Sequence, residues 1–88
     1  MKLTKTQKQI KKITKDISKL LIWKNRSYGN SALAPLRIFS KASAKEQILV
    51  RIDDKLSRIA RGNNFGSEDT IEDLIGYLVL LKIANKSK

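Results

Sequence analysis

Cysteine and histidine are both absent from this chain of 88 residues. Their absence excludes disulfides, thiol nucleophiles, imidazole acid–base chemistry and zinc sites of the usual Cys/His kind, so a metal would have to sit on carboxylates. Long apolar runs are missing too. The longest, LVLLKIA at residues 78 to 84, is interrupted by Lys82 and falls far short of the roughly 20 residues of a membrane span. No apolar signal segment follows the N-terminal lysines, which predicts a cytoplasmic chain with no membrane partner. No stretch alternates like a strand, no segment repeats, and proline occurs once, at Pro35.

What remains is a chain patterned for helices, and its length predicts a single domain over residues 1–88. A domain of this size buries about 60 to 65% of its unfolded surface and keeps a net stability of roughly 4 to 13 kcal/mol. Ile10, Ile13, Ile17, Leu20 and Leu21 recur at steps of three and four, predicting an amphipathic helix over 5–24 with Thr4 or Thr6 as its N-cap. Pro35 suits the first turn of a short helix over 35–40, PLRIFS, with Leu36 and Phe39 facing inward. Ser43 and Glu46 have the spacing of a capping box, and Ile48, Ile52, Leu56 and Ile59 form the stripe of a third helix over 43–61 that Gly62 ends. A last helix over 68–85 opens on acids, where the macrodipole favours them, and carries Ile71, Leu74, Ile75, Leu78 and Leu81. The expected fold is an all-α antiparallel bundle of three long helices and one short one, with Ile52, Leu56, Leu74 and Leu78 buried. Fraying is expected only at the end, NKSK. Since 41% of residues are apolar, more than four short helices can hide, a homo-oligomer is expected.

Charge is uneven. Residues 1–26 hold nine Lys and Arg against Asp16, a balance of +8, which leaves only +3 of the total +11 for the rest. Lys5, Lys8, Lys12, Lys15 and Lys19 make one helical stripe, with Lys2, Lys11 and Lys24 beside it. The stripe is either a solvated face or a surface for a polyanion such as nucleic acid.

Two further regions carry polar chemistry. On the third helix Arg51, Asp54, Lys55, Arg58 and Arg61 lie away from the apolar stripe and can form ion pairs along the helix. On the last helix Asp69, Asp73, Gly76, Tyr77 and Leu80 share a second stripe. A mid-helix glycine costs about 1 kcal/mol against alanine, so Gly76 serves either close packing of another helix or backbone approach to a ligand. The acids are caps and ion-pair partners, or else Asp54, Asp69 and Asp73 gather magnesium, the one metal option in a chain that otherwise implies no cofactor. The segment RSYGNSALAPLRIFSKAS at 26–43 offers Tyr28 for stacking, Gly29 for close approach, Asn30 and Ser31 for polar contacts, and Arg26 and Arg37 for phosphate. It is equally readable as an interhelical turn whose tyrosine covers the edge of the core.

Three blocks, YGNSALAPLRIFSKAS, RIDDKLSRIARG and EDTIEDLIGYLVLL, together resemble a small all-helical phage family, the first of the nucleotide modification associated domains. The resemblance covers about residues 26–84 and leaves residues 1–25 as a separate basic helix. It implies a phage protein linked to nucleotides, acting in the infected host's cytoplasm. The block EDLIGYLVLL also looks like the second acidic helix of MazG-like nucleoside triphosphate pyrophosphatases, whose magnesium sits on paired acidic motifs. Asp69 or Glu72 with Asp73 could stand in for the second pair, but DDKLSR places Lys55 and Arg58 where the first should continue, and those cations repel metal while attracting phosphate.

The resulting expectation is a binding protein rather than an enzyme. It would hold a nucleotide, cyclic nucleotide or ADP-ribose-type immune signal uncut, through Arg26, Tyr28, Gly29, Asn30, Ser31, Arg37, Asp54, Lys55, Arg58, Asp69, Asp73 and Tyr77. A magnesium-dependent pyrophosphohydrolase, an accessory to DNA-base modification and a nucleic-acid-binding protein are the alternatives.

Overall fold

The computed structural model describes residues 2–62 and 68–86, with the side chains of Glu68 and Asp69 outside the description. Three helices make up the described fold: α1 (Lys5–Tyr28), α2 (Ala44–Ala60) and α3 (Glu68–Lys86). No strand occurs among the described residues, so the chain is all-α. The sequence GNNFGS, residues 62–67 between α2 and α3, falls outside the described residues after Gly62, as do the last two residues of NKSK.

α1 starts at a full capping box: the Thr4 hydroxyl accepts from the Gln7 amide at 3.1 Å, and the Thr4 amide donates to Gln7 Oε1 at 3.0 Å. That box offsets an unfavourable first turn, which holds Lys5 and Lys8 and no acid at the positive end of the helix dipole. The helix runs four residues past the expected end. Asn25 to Tyr28 stay helical, and the chain leaves the helix at Gly29, whose φ of 72° suits a residue without a Cβ. α2 is capped by the Ser43 hydroxyl, which accepts from the Glu46 amide at 3.1 Å; the reciprocal half of the expected box is not formed. Gly62, at φ 78°, closes α2 by donating its amide to the Ile59 carbonyl at 3.1 Å.

The short helix expected at 35–40 does not form. Residues 35–43 are an irregular connection, and Leu36 and Phe39 point to solvent, Phe39 at 98% exposure. Six residues are too few to repay helix nucleation without tertiary support. Arg37 takes a left-handed φ of 59°, held by an Nη2 hydrogen bond to the Lys41 carbonyl at 3.4 Å.

α3 is the middle element. α2 packs along it, α1 meets it only at one crossing, and α1 and α2 do not pack together. Burial centres on the α2–α3 side, where Ile48 and Ile52 of α2 are buried and Thr70 of α3 is buried as well. Leu74 is half-buried, while Leu56 and Leu78 are exposed, against expectation. Periodicity assigns residues to a face, and here no element covers the outer edge of either stripe. At the crossing the chain shows why position 76 is glycine: a Cβ there would lie 2.9 Å from Leu21 Cδ2 of α1. Of the two uses weighed for Gly76, this geometry is close helix packing.

Candidate functional site

The site grows from a single carboxylate. Asp73, on α3 one turn before Gly76, accepts from Lys24 Nζ of α1 at 3.3 Å through Oδ1 and from Lys55 Nζ of α2 at 3.4 Å through Oδ2. The three helices are joined electrostatically at this point. Lys55 is only 14% exposed in its side chain, and Lys24 and Asp73 are each more than a third exposed or close to it. Lys55 therefore leaves its own helix face: the ion pairs expected along α2 among Arg51, Asp54, Lys55, Arg58 and Arg61 are absent among the described residues, because Lys55 reaches across to α3 instead.

From this junction α1 and α3 run in opposite directions and part, leaving an open groove of about 690 Å³, within the size range of small-molecule sites. One arm is apolar, formed by Ile17 and Leu21 of α1 with Val79, Leu80 and Ile83 of α3. The other arm is polar and lies where α1 ends: Asn25, Arg26, Tyr28, Gly29, Asn30 and Ser31 face Glu72, Asp73 and Tyr77. Comparison with protein-family models, curated proteins and solved structures finds no match to this chain.

Of the twelve residues singled out from the sequence, seven line this groove: Arg26, Tyr28, Gly29, Asn30, Ser31, Asp73 and Tyr77. Lys55 stands behind it, bonded to Asp73. Arg37, Asp54 and Arg58 are exposed and do not line the groove, so the expected Lys55/Arg58 phosphate face does not form as a unit. The side chain of Asp69 lies outside the described residues. Among the described residues no three carboxylates approach closely enough to hold a metal ion.

Local contacts organise the polar arm. Tyr28 is 70% exposed and meets Trp23 edge-on, with ring centroids 6.5 Å apart and planes at 83°. One ring face thus stays open while the tyrosine is steadied from the side. Asn25 Nδ2 donates to Asn30 Oδ1 at 3.4 Å, and the Leu33 and Ala34 amides donate to the Asn30 carbonyl at 3.1 and 2.9 Å, which folds the turn after Gly29. Sequence reasoning missed Lys24 and Asn25 as site residues and named Glu72 only as a possible metal ligand beside Asp73. Lys24 and Asn25 sit one helical turn before Tyr28, a spacing visible only if α1 is extended to that residue. Glu72 has no ion-pair partner among the described residues.

Away from the groove, Lys5, Lys8, Lys12, Lys15 and Lys19 are all exposed on one side of α1, and among the described residues only Lys12 of these is paired, to Asp16 at 3.2 Å. Among the described residues no helix is long and apolar enough to cross a membrane.

Proposed function

We propose that this chain binds a nucleotide or a nucleotide-derived signal in the groove between α1 and α3 and releases it unchanged. The observation that carries the reading is the polar arm, where an exposed tyrosine face, two asparagines, a serine and an arginine converge beside a mostly apolar cleft. A base would stack on Tyr28, sugar hydroxyls and base edges would meet Asn25, Asn30 and Ser31, and phosphate would meet Arg26 at the rim. Lys55 acts through Asp73 rather than on the ligand. The proposal extends to sequestration of a host immune signal, the role that the sequence's resemblance to a nucleotide-associated phage family would imply.

The pairing of Asp73 supports retention without cleavage. Both of its oxygens are occupied by ammonium groups, so a magnesium ion would have to displace two cations to use it as a ligand, against the metal-activated water a pyrophosphohydrolase needs. The test is to incubate the protein with a panel of nucleotides and cyclic nucleotides plus magnesium, denature it, and identify what was bound. Intact ligand is expected; catalytic amounts of cleaved product would overturn the reading. Tyr28→Ala should weaken binding roughly 5- to 150-fold, since base stacking is worth about 1 to 3 kcal/mol, while Tyr28→Phe should bind like the parent. Titration calorimetry showing equal affinity for all three proteins would place the ligand elsewhere.

A second reading rests on the exposed lysine face of α1, which suits a polyanion. If nucleic acid binds there, affinity falls steeply with salt, and replacing Lys8, Lys12 and Lys15 by glutamine flattens the slope by about three counterions. An unchanged slope in that variant removes the reading.

A further inference from the structure

α1 carries an apolar seam longer than the surface it covers. Ile17 and Leu21 are half-buried at the crossing with α3, but Ile10 and Ile13, two turns further out on the same side, are 56% and 57% exposed. From Leu74 to Leu81 α3 carries no charged side chain on any face, the composition of a helical segment enclosed on every side, yet Val79 and, one turn on, Ile83 are exposed beside the same groove. Ile17 and Leu21 of the seam line the groove's apolar arm together with Val79 and Ile83, and Ile10 and Ile13 extend the seam along α1 beyond it.

The chain as a whole exposes more surface than a compact monomer, and the seam is part of that surplus. The chain exposes 7412 Å², whereas a compact monomer of 10.0 kDa exposes about 5,200 Å². The radius of gyration, 15.2 Å, compares with about 12 Å for a compact chain of this length. An excess of roughly 2,200 Å² per chain falls in the range needed by an obligate dimer, which buries on the order of 2,000 to 5,000 Å² in total.

We propose that a second copy of this chain covers that surface, in a two-fold pair in which Ile10 and Ile13 of each α1 pack on Val79 and Ile83 of the other chain. Charge permits the pairing: Lys5, Lys8, Lys12, Lys15 and Lys19 lie on the opposite side of α1 from Ile10 and Ile17, so both lysine faces point out to solvent. The partner's α1 then forms the missing wall of the apolar arm, so each groove is complete only in the pair. This deepens the binding reading by giving the site its second wall, but the pairing is independent of ligand and is tested without it.

The test is light scattering at tens of micromolar in ligand-free buffer. The parent should have a mass of about 20 kDa, twice the chain mass. Ile10→Ser/Ile13→Asp should give the chain mass with its helical circular dichroism retained, because both side chains are already more than half exposed and the single chain loses little packing. Phe39→Ser, which removes a still more exposed apolar group away from the seam, should stay dimeric. A monomeric parent, a seam variant that remains dimeric, or dissociation caused by Phe39→Ser instead would each overturn the proposal. Nucleotide titration of the seam variant separates the two readings: a dimeric parent that binds no nucleotide leaves the pairing standing and removes the ligand.

Discussion

Ile48→Ala should destabilise the fold by about 2 to 5 kcal/mol, the usual range for deleting a fully buried aliphatic side chain, read as a fall in the urea midpoint at fixed protein concentration. Ile48 is 2% exposed and lies where α2 packs along α3. With total stability near 4 to 13 kcal/mol, such a loss takes a large fraction of the whole. Only two apolar residues are buried among those described, Ile48 and Ile52, so the core has little else to collapse around the cavity. Leu56→Ala is the informative companion. At 48% exposure Leu56 leaves no closed cavity, and its truncation should cost less than half as much. Equal costs at the two positions would mean that the centre of the core lies elsewhere along α2.

Asp73→Ala is expected to have the second large effect, and it should exceed that of removing either lysine. The substitution strands Lys55, which is 14% exposed and has no other ion-pair partner among the described residues. Leaving a largely buried charge unpaired costs several kcal/mol in a dry interior. Because Asp73 is itself 34% exposed, solvent screens part of this, and about 1 to 3 kcal/mol is the reasonable expectation. Lys55→Met keeps the aliphatic stem, removes the buried charge, and leaves Asp73 paired with Lys24, so it should be near neutral. Combining Asp73→Ala with Lys55→Met should recover most of the loss. A double variant no better than Asp73→Ala alone, measured by urea unfolding, would show that the aspartate acts through packing rather than through Lys55.

How far the sequence could be read depended on whether a feature is local. The extent of α2, its Ser43 cap and its Gly62 stop are all written within one helix and appear where expected, whereas burial of Leu56 on its stripe depended on a neighbour that the helix does not specify. Gly76 was also legible as a packing position, because a glycine in mid-helix needs a neighbour. The end of α1 was not. Asn25 and Ser27 each cost only a few tenths of a kcal/mol in a helix, and the contact of Tyr28 with Trp23 lies along the same extended helix, so turn-forming residues were read as an end that comes four residues later. Pro35 misled in the opposite direction, since its fixed φ permits a helix start without supplying the length to sustain one. The site divided in the same way. The loop residues Arg26 to Ser31 stayed together because they are adjacent in sequence, whereas the partner of Lys55 was set by the approach of α3, which no spacing within α2 reports.

The crossing at Gly76 has a further consequence for how the molecule comes apart. Lys24 and Asp73 are 49 positions apart in sequence, whereas α2 and α3 are consecutive elements joined by a short connection. Closing the α2–α3 pair costs little chain entropy, and docking α1 costs more for far fewer contacts. The two parts are therefore unequal in cooperativity. In a single chain α1 can peel away as its own unit of partial unfolding, while the Ile48 centre holds the other two helices together. Backbone amides of α1 then exchange with solvent through an opening that never reaches the core, and a protease meets this helix before it meets the rest.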